Sequence, residues 1–127
     1  MDEHILEAKA RQLTGEINAR RIRECGGKGW NANQRKKAAG FITALVRAAQ
    51  ENKRIAATIG QLESAAKMSG AHAVAMYIIR ELEAMKLIAW DVEHVQCNSY
   101  LNGHGMFITE NFKAFLLSPL PRVNRNQ

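Results

Sequence analysis

Proline is nearly absent from this chain. Of 127 residues only Pro119 and Pro121 are prolines, so nothing upstream of them forbids long helices. Aromatic residues are scarce as well, at 6%. Cysteine occurs twice, as Cys25 and Cys97, in unrelated surroundings that suggest no disulfide framework, and a reducing cytosol is the expected compartment. No apolar run approaches the roughly 20 residues that span a bilayer. The opening Met-Asp-Glu-His lacks the basic start and apolar centre of a secretory signal. Catalytic patterns are missing too: there is no Ser/His/Asp or Cys/His context, no glycine-rich phosphate loop after a strand and no spaced pair of carboxylates. Neither an enzyme nor a cofactor is therefore expected.

What remains is ordinary for one globular domain with its own core, at 46% hydrophobic and 24% charged residues. The formal net charge of +6 is distinctive, and a basic protein of this size commonly meets nucleic acid. Its distribution is uneven. Residues 19–54 hold ten cations (Arg20, Arg21, Arg23, Lys28, Arg35, Lys36, Lys37, Arg47, Lys53 and Arg54) against only Glu24 and Glu51. Residues 55–118 hold four cations against six carboxylates. Any electrostatic footprint lies in the first half.

Periodicity predicts a helix from Asp2 to about Arg23, with Leu6, Ala10, Leu13 and Ile17 forming one narrow apolar stripe. That stripe either packs on the rest of the domain or pairs with its copy in a homodimer. Gly26-Gly27 ends the helix, and Trp30 is expected to anchor the linker. A second helix, capped by Asn31 or Asn33, is predicted over about 32–52, burying Ala38, Ile42, Leu45, Val46 and Ala49. Lys36, Lys37, Gly40 and Arg47 fall on its opposite side. Thr58 caps a short helix that breaks at Met68-Ser69-Gly70, and a fourth helix runs from Ala71 to Lys86 with Ala75, Ile78, Ile79, Leu82 and Met85 inward. Leu87–Val95 and Met106–Thr109 read as two strands around a polar, turn-rich loop. Thr109 caps a last helix, Glu110 to about Leu117, stopped by Ser118-Pro119.

Two stretches carry a resemblance. Leu82-Glu83-Ala84-Met85-Lys86-Leu87-Ile88 resembles the end of a winged-helix recognition helix passing into the wing, with Lys86 where those domains usually have Gly. Phe107-Ile108-Thr109-Glu110-Asn111-Phe112-Lys113-Ala114-Phe115-Leu116 is similar to the returning wing strand and closing helix, with Phe112 where Gly is common. Together they cover about half the chain and resemble the winged helix–turn–helix superfamily, a build frequent in small plasmid and phage replication or regulatory proteins. The resemblance implies a mainly α fold with a small β-hairpin. It divides the chain into an N-terminal helix at 1–25 that is a candidate dimerisation arm, a winged helix–turn–helix domain at 26–118 and a disordered tail at 119–127.

It also implies double-stranded DNA as partner, in transcription regulation or in replication. His72, Ala73, Met76, Tyr77 and Arg80 on the outward face of the fourth helix would approach base edges. Arg35, Lys36, Lys37 and Arg47 would meet phosphates, and Arg20, Arg21, Arg23 and Lys28 would form an arm along the duplex. Asn102 and His104 in the wing are further candidate contacts. The alternative is that the apolar outward face docks a host protein complex. His94, Cys97 and His104 have zinc-ligand chemistry but lack a fourth ligand, so no metal is expected.

Overall fold

The computed structural model describes residues 2–49, 54–67, 72–90 and 105–120. Among these described residues, five helices and a two-stranded antiparallel hairpin follow in the order α1 (Glu3–Cys25), α2 (Ala32–Arg47), α3 (Ile59–Ala65), α4 (His72–Ala84), β1 (Ile88–Trp90), β2 (Met106–Ile108) and α5 (Glu110–Leu117). The expected break at 68–70, most of the wing loop, the zinc-type trio and the tail from 121 onward lie outside the described residues.

Local chemistry sets most of the boundaries. Asp2 caps α1 by accepting a hydrogen bond from the His4 amide, and Gly26 ends it in the left-handed region. Asn31 and Gln34 form a reciprocal capping box on α2, and Thr58 and Gln61 form another on α3. At the far end of α4, Lys86 takes φ 61° while the Leu87 amide reaches back to the Leu82 carbonyl at 2.8 Å. This is the bonding of a glycine-type helix stop, made here with a lysine. Thr109 caps α5 and also donates its hydroxyl to the Lys86 carbonyl at 2.7 Å, tying the last helix to the end of α4.

The stripe Leu6, Ala10, Leu13 and Ile17 is buried within the chain itself and packs α1 antiparallel on α2. A homodimer would have to use a different surface. The linker between them makes one close pass: a Cβ at Gly29 would stand 2.5 Å from Asn18 Oδ1, which accepts from the Trp30 amide at 2.7 Å. Trp30 is buried as expected.

The second helix stops five residues earlier than its composition predicts. Beyond Arg47 the chain reverses, so that Ala49 bridges Ile55 and the Ile55 amide bonds the Met106 carbonyl at 2.9 Å. Burying Ile55 and satisfying its backbone on β2 outweighs further helix through residues of good propensity. Arg54 bridges Phe107 on the same edge, next to the hairpin register Ile88↔Ile108, Ala89↔Phe107 and Trp90↔Met106. One core joins all these elements around Phe41, Leu45, Ile78, Leu82, Met106 and Phe112. Among the described residues no helix is long and apolar enough to cross a membrane.

Candidate nucleic-acid interface

The outward face of α4 is partly roofed. His72, Ala73 and Arg80 are exposed, and Arg80 has no partner among the described residues. His72 Nδ1 lies 2.6 Å from Glu63 Oε2, which fixes the start of α4 to α3. Met76 and Tyr77 are half-buried against the core. Tyr77 is held from three sides: it packs edge-on to Trp30 with ring centroids 6.0 Å apart, donates to Glu24 Oε2 at 3.1 Å, and lies beneath the Arg21 guanidinium at 5.2 Å. These contacts tie the middle of α4 to the end of α1 and to the linker. On this face His72, Ala73, Arg80 and Ala84 are exposed, and Met76 and Tyr77 are half-buried.

The roof is the end of α1. Arg20 donates through Nε to Glu81 Oε1 at 2.8 Å, and Glu81 is buried. That hydrogen bond, with the Glu81 charge behind it, holds the Arg20 guanidinium above its already high usual range. The expected basic arm therefore divides. Arg20 and Arg21 serve contacts within the chain, whereas Arg23 and Lys28 are exposed and have no ionic partner among the described residues. The division is legible in the sequence once the apolar stripe is carried past Ile17, because Arg20, Arg21 and Glu24 continue it at the same three- and four-residue spacing. They lie on the side of α1 turned towards α4, Arg20 and Arg21 half-buried and Glu24 exposed at its edge.

On the other flank of α1 a groove of about 830 Å³ runs between α1, α2 and the end of α3. Arg11 stands on α1, Arg35, Lys36, Lys37 and Arg47 on α2, and Lys67 just past α3, with Glu7 the sole carboxylate among the lining residues. Arg47 is paired with Glu3 across the open end. The other five cations have no ionic partner among the described residues. Helix energetics do not explain this placement: the first turn of α2 holds no acid, and three cations follow at once, opposite to what the helix dipole favours. Arg11 and Lys67 were not among the expected contacts, Arg11 because it lies in a charge-balanced helix and Lys67 because it stands in the otherwise acidic half.

The floor of the groove consists of small residues, among them Gly15, Ala39, Gly40, Ala44 and Ala66. Thr14 and Thr43 also line it, but their hydroxyls donate to the Ala10 and Ala39 carbonyls of their own helices. Gly15 has no role in packing: φ there is not positive, and an added Cβ would meet nothing within 4 Å. A glycine inside a helix costs about 0.5–1 kcal/mol relative to alanine, so its presence at this position is not explained by the fold.

Asn102 and His104 lie outside the described residues, as do His94 and Cys97. Among the described residues no group of three or more His, Cys, Asp or Glu is placed to hold a metal ion. Comparison of the chain with protein-family models, curated proteins and solved structures finds no match.

Proposed function

We propose that this chain binds duplex DNA as a winged helix–turn–helix protein, in transcription control or in plasmid or phage replication. The observation that carries the reading is the gathering of unpaired cations on one side of α2 and the end of α3, in a groove whose third wall adjoins the start of α4. Phosphates meeting Lys36, Lys37 and Lys67 would bring the exposed first turn of α4 towards base edges. The build is supported by element order: α2, residues 54–55, α3, α4 and then the hairpin, with Arg54 in an isolated bridge to Phe107 of β2.

The competing reading, a protein-docking module using an apolar α4 face, loses most of its surface. Met76 and Tyr77 are drawn in against α1 and the core, which leaves Ala73 and Ala84 as the exposed apolar positions of that face.

The test is fluorescence anisotropy of a random-sequence duplex titrated with the full chain across a salt series. Five phosphate contacts correspond to a log–log slope of about −4.5. Affinity that does not respond to salt would refute the proposal.

A further inference from the structure

We infer that the α1–α2 groove seats one phosphodiester backbone of the duplex, phosphates inward, with Gly15 as the point of closest approach. The inference rests on the DNA-binding reading and specifies how that site works. Three features of the lining select the occupant. The five unpaired cations, on α1, α2 and the end of α3, suit a regularly charged polyanion better than a single small anion. Among the described residues no aromatic ring lines the groove, so they offer bases no stacking platform and the bases are expected to point away from it. Among the described lining residues there is also no large hydrophobic side chain of the kind that anchors an amphipathic helix from a partner protein.

Gly15 is the independent observation. The chain accepts a helix-weakening residue where neither backbone conformation nor any neighbour requires one, and the space beside it opens into the groove. Close approach of a ligand backbone is a recognised use of such a glycine. Contacts of this kind carry no sequence information, so selectivity would fall to the first turn of α4 and to the wing.

The experiment compares the full chain with Gly15→Leu, Gly15→Ala, Lys36→Gln/Lys37→Gln and Glu7→Gln, using a labelled random-sequence duplex and a labelled glutamate-rich helical peptide, with thermal midpoints measured alongside. A Cβ at position 15 meets nothing within 4 Å and leucine is a better helix former than glycine, so the variant is expected to fold with an unchanged or raised midpoint. Its duplex affinity should fall about tenfold, equally for all sequences, whereas Gly15→Ala should stay within about threefold. Lys36→Gln/Lys37→Gln should reduce the salt slope by about two. Glu7→Gln removes the one opposing charge in the groove and should tighten binding by about twofold.

Unchanged duplex binding by Gly15→Leu and by the lysine pair would overturn the inference while leaving the DNA-binding reading in place. Absence of duplex binding by the unaltered chain at every salt concentration would overturn both. Peptide binding that Gly15→Leu abolishes, with duplex binding untouched, would reassign the groove to a protein partner and refute the inference.

Discussion

Replacing Lys86 by glycine should stabilise the protein, and the size of the gain follows from one backbone angle. Lys86 has φ 61° at the end of α4, a region where a residue with a Cβ is disfavoured by roughly 1–2 kcal/mol. Glycine removes that cost but has more conformational freedom to lose on folding, an opposing effect of about 0.5–1 kcal/mol. The side chain is exposed and has no ionic partner among the described residues, and the carbonyl that accepts from Thr109 Oγ1 is retained by any residue. The net expectation is a gain of about 0.5–1 kcal/mol, a rise in thermal midpoint of roughly 2–4 °C for a chain of this size. Circular dichroism melts of Lys86→Gly, Lys86→Ala and the unaltered chain would measure it. Alanine controls for the lost charge and shares the strain, so its midpoint should stay near that of the unaltered chain. A midpoint that falls in the glycine variant, or rises equally in both, would mean that α4 does not end in a left-handed turn at Lys86. The coupling of α4 to the hairpin described above would then be wrong.

Three further perturbations test other joints. Gly29→Ala should destabilise by about 1–3 kcal/mol in urea unfolding, because the new methyl displaces the Asn18 side chain that satisfies the Trp30 amide. Thr109→Ala should cost about 1–2 kcal/mol, since it removes both the α5 cap and the bond to the Lys86 carbonyl, while Thr109→Ser should recover most of the loss. Arg20→Met should lower the thermal midpoint more than the Arg20→Met/Glu81→Met pair does, because the single change leaves a buried carboxylate unpaired. Because Glu81 raises the pKa of Arg20, its contribution is complete below the ordinary guanidinium range and fades only above it. The difference between Arg20→Met and the unaltered chain should therefore be the same at about pH 7 and about pH 10.

Elements whose information is local were legible in the sequence. Asn31 (one of two candidate caps), Thr58 and Thr109 are capping residues followed by helical periodicity, and each begins the helix assigned to it. The end of α2 was not legible, because good helix formers continue past Arg47 and the competing gain is non-local: the pairing of residues 54–55 with β2 across about 50 residues of sequence. The candidate site was obscured for a related reason. Charge counted along the chain identifies a basic segment, but only the packing of α1 on α2 separates the arginines spent inside the fold from the cations left facing solvent. Nothing local marks Glu3 as the partner of Arg47, 44 residues away.

The N-terminal helix gives the molecule its division of labour, and its three faces show how. The face of Leu6, Ala10, Leu13 and Ile17 joins the core; the same line extended brings Arg20, Arg21 and Glu24 onto α4; and the flank of Glu7, Arg11 and Gly15 walls the groove. Without α1, the unit of α2–α5 and the hairpin would leave Tyr77 and Glu81 uncovered by these α1 groups and would have no α1 wall for the cations of α2. Adding α1 covers part of Tyr77 and gives α2 a basic channel. On the proposed DNA-binding reading, affinity for the polyanion and selectivity among sequences fall to different surfaces. They should respond separately to mutation: changes at Gly15, Lys36 and Lys37 should weaken binding to all duplexes alike, and changes at Ala73 and Arg80 should alter the ranking among them.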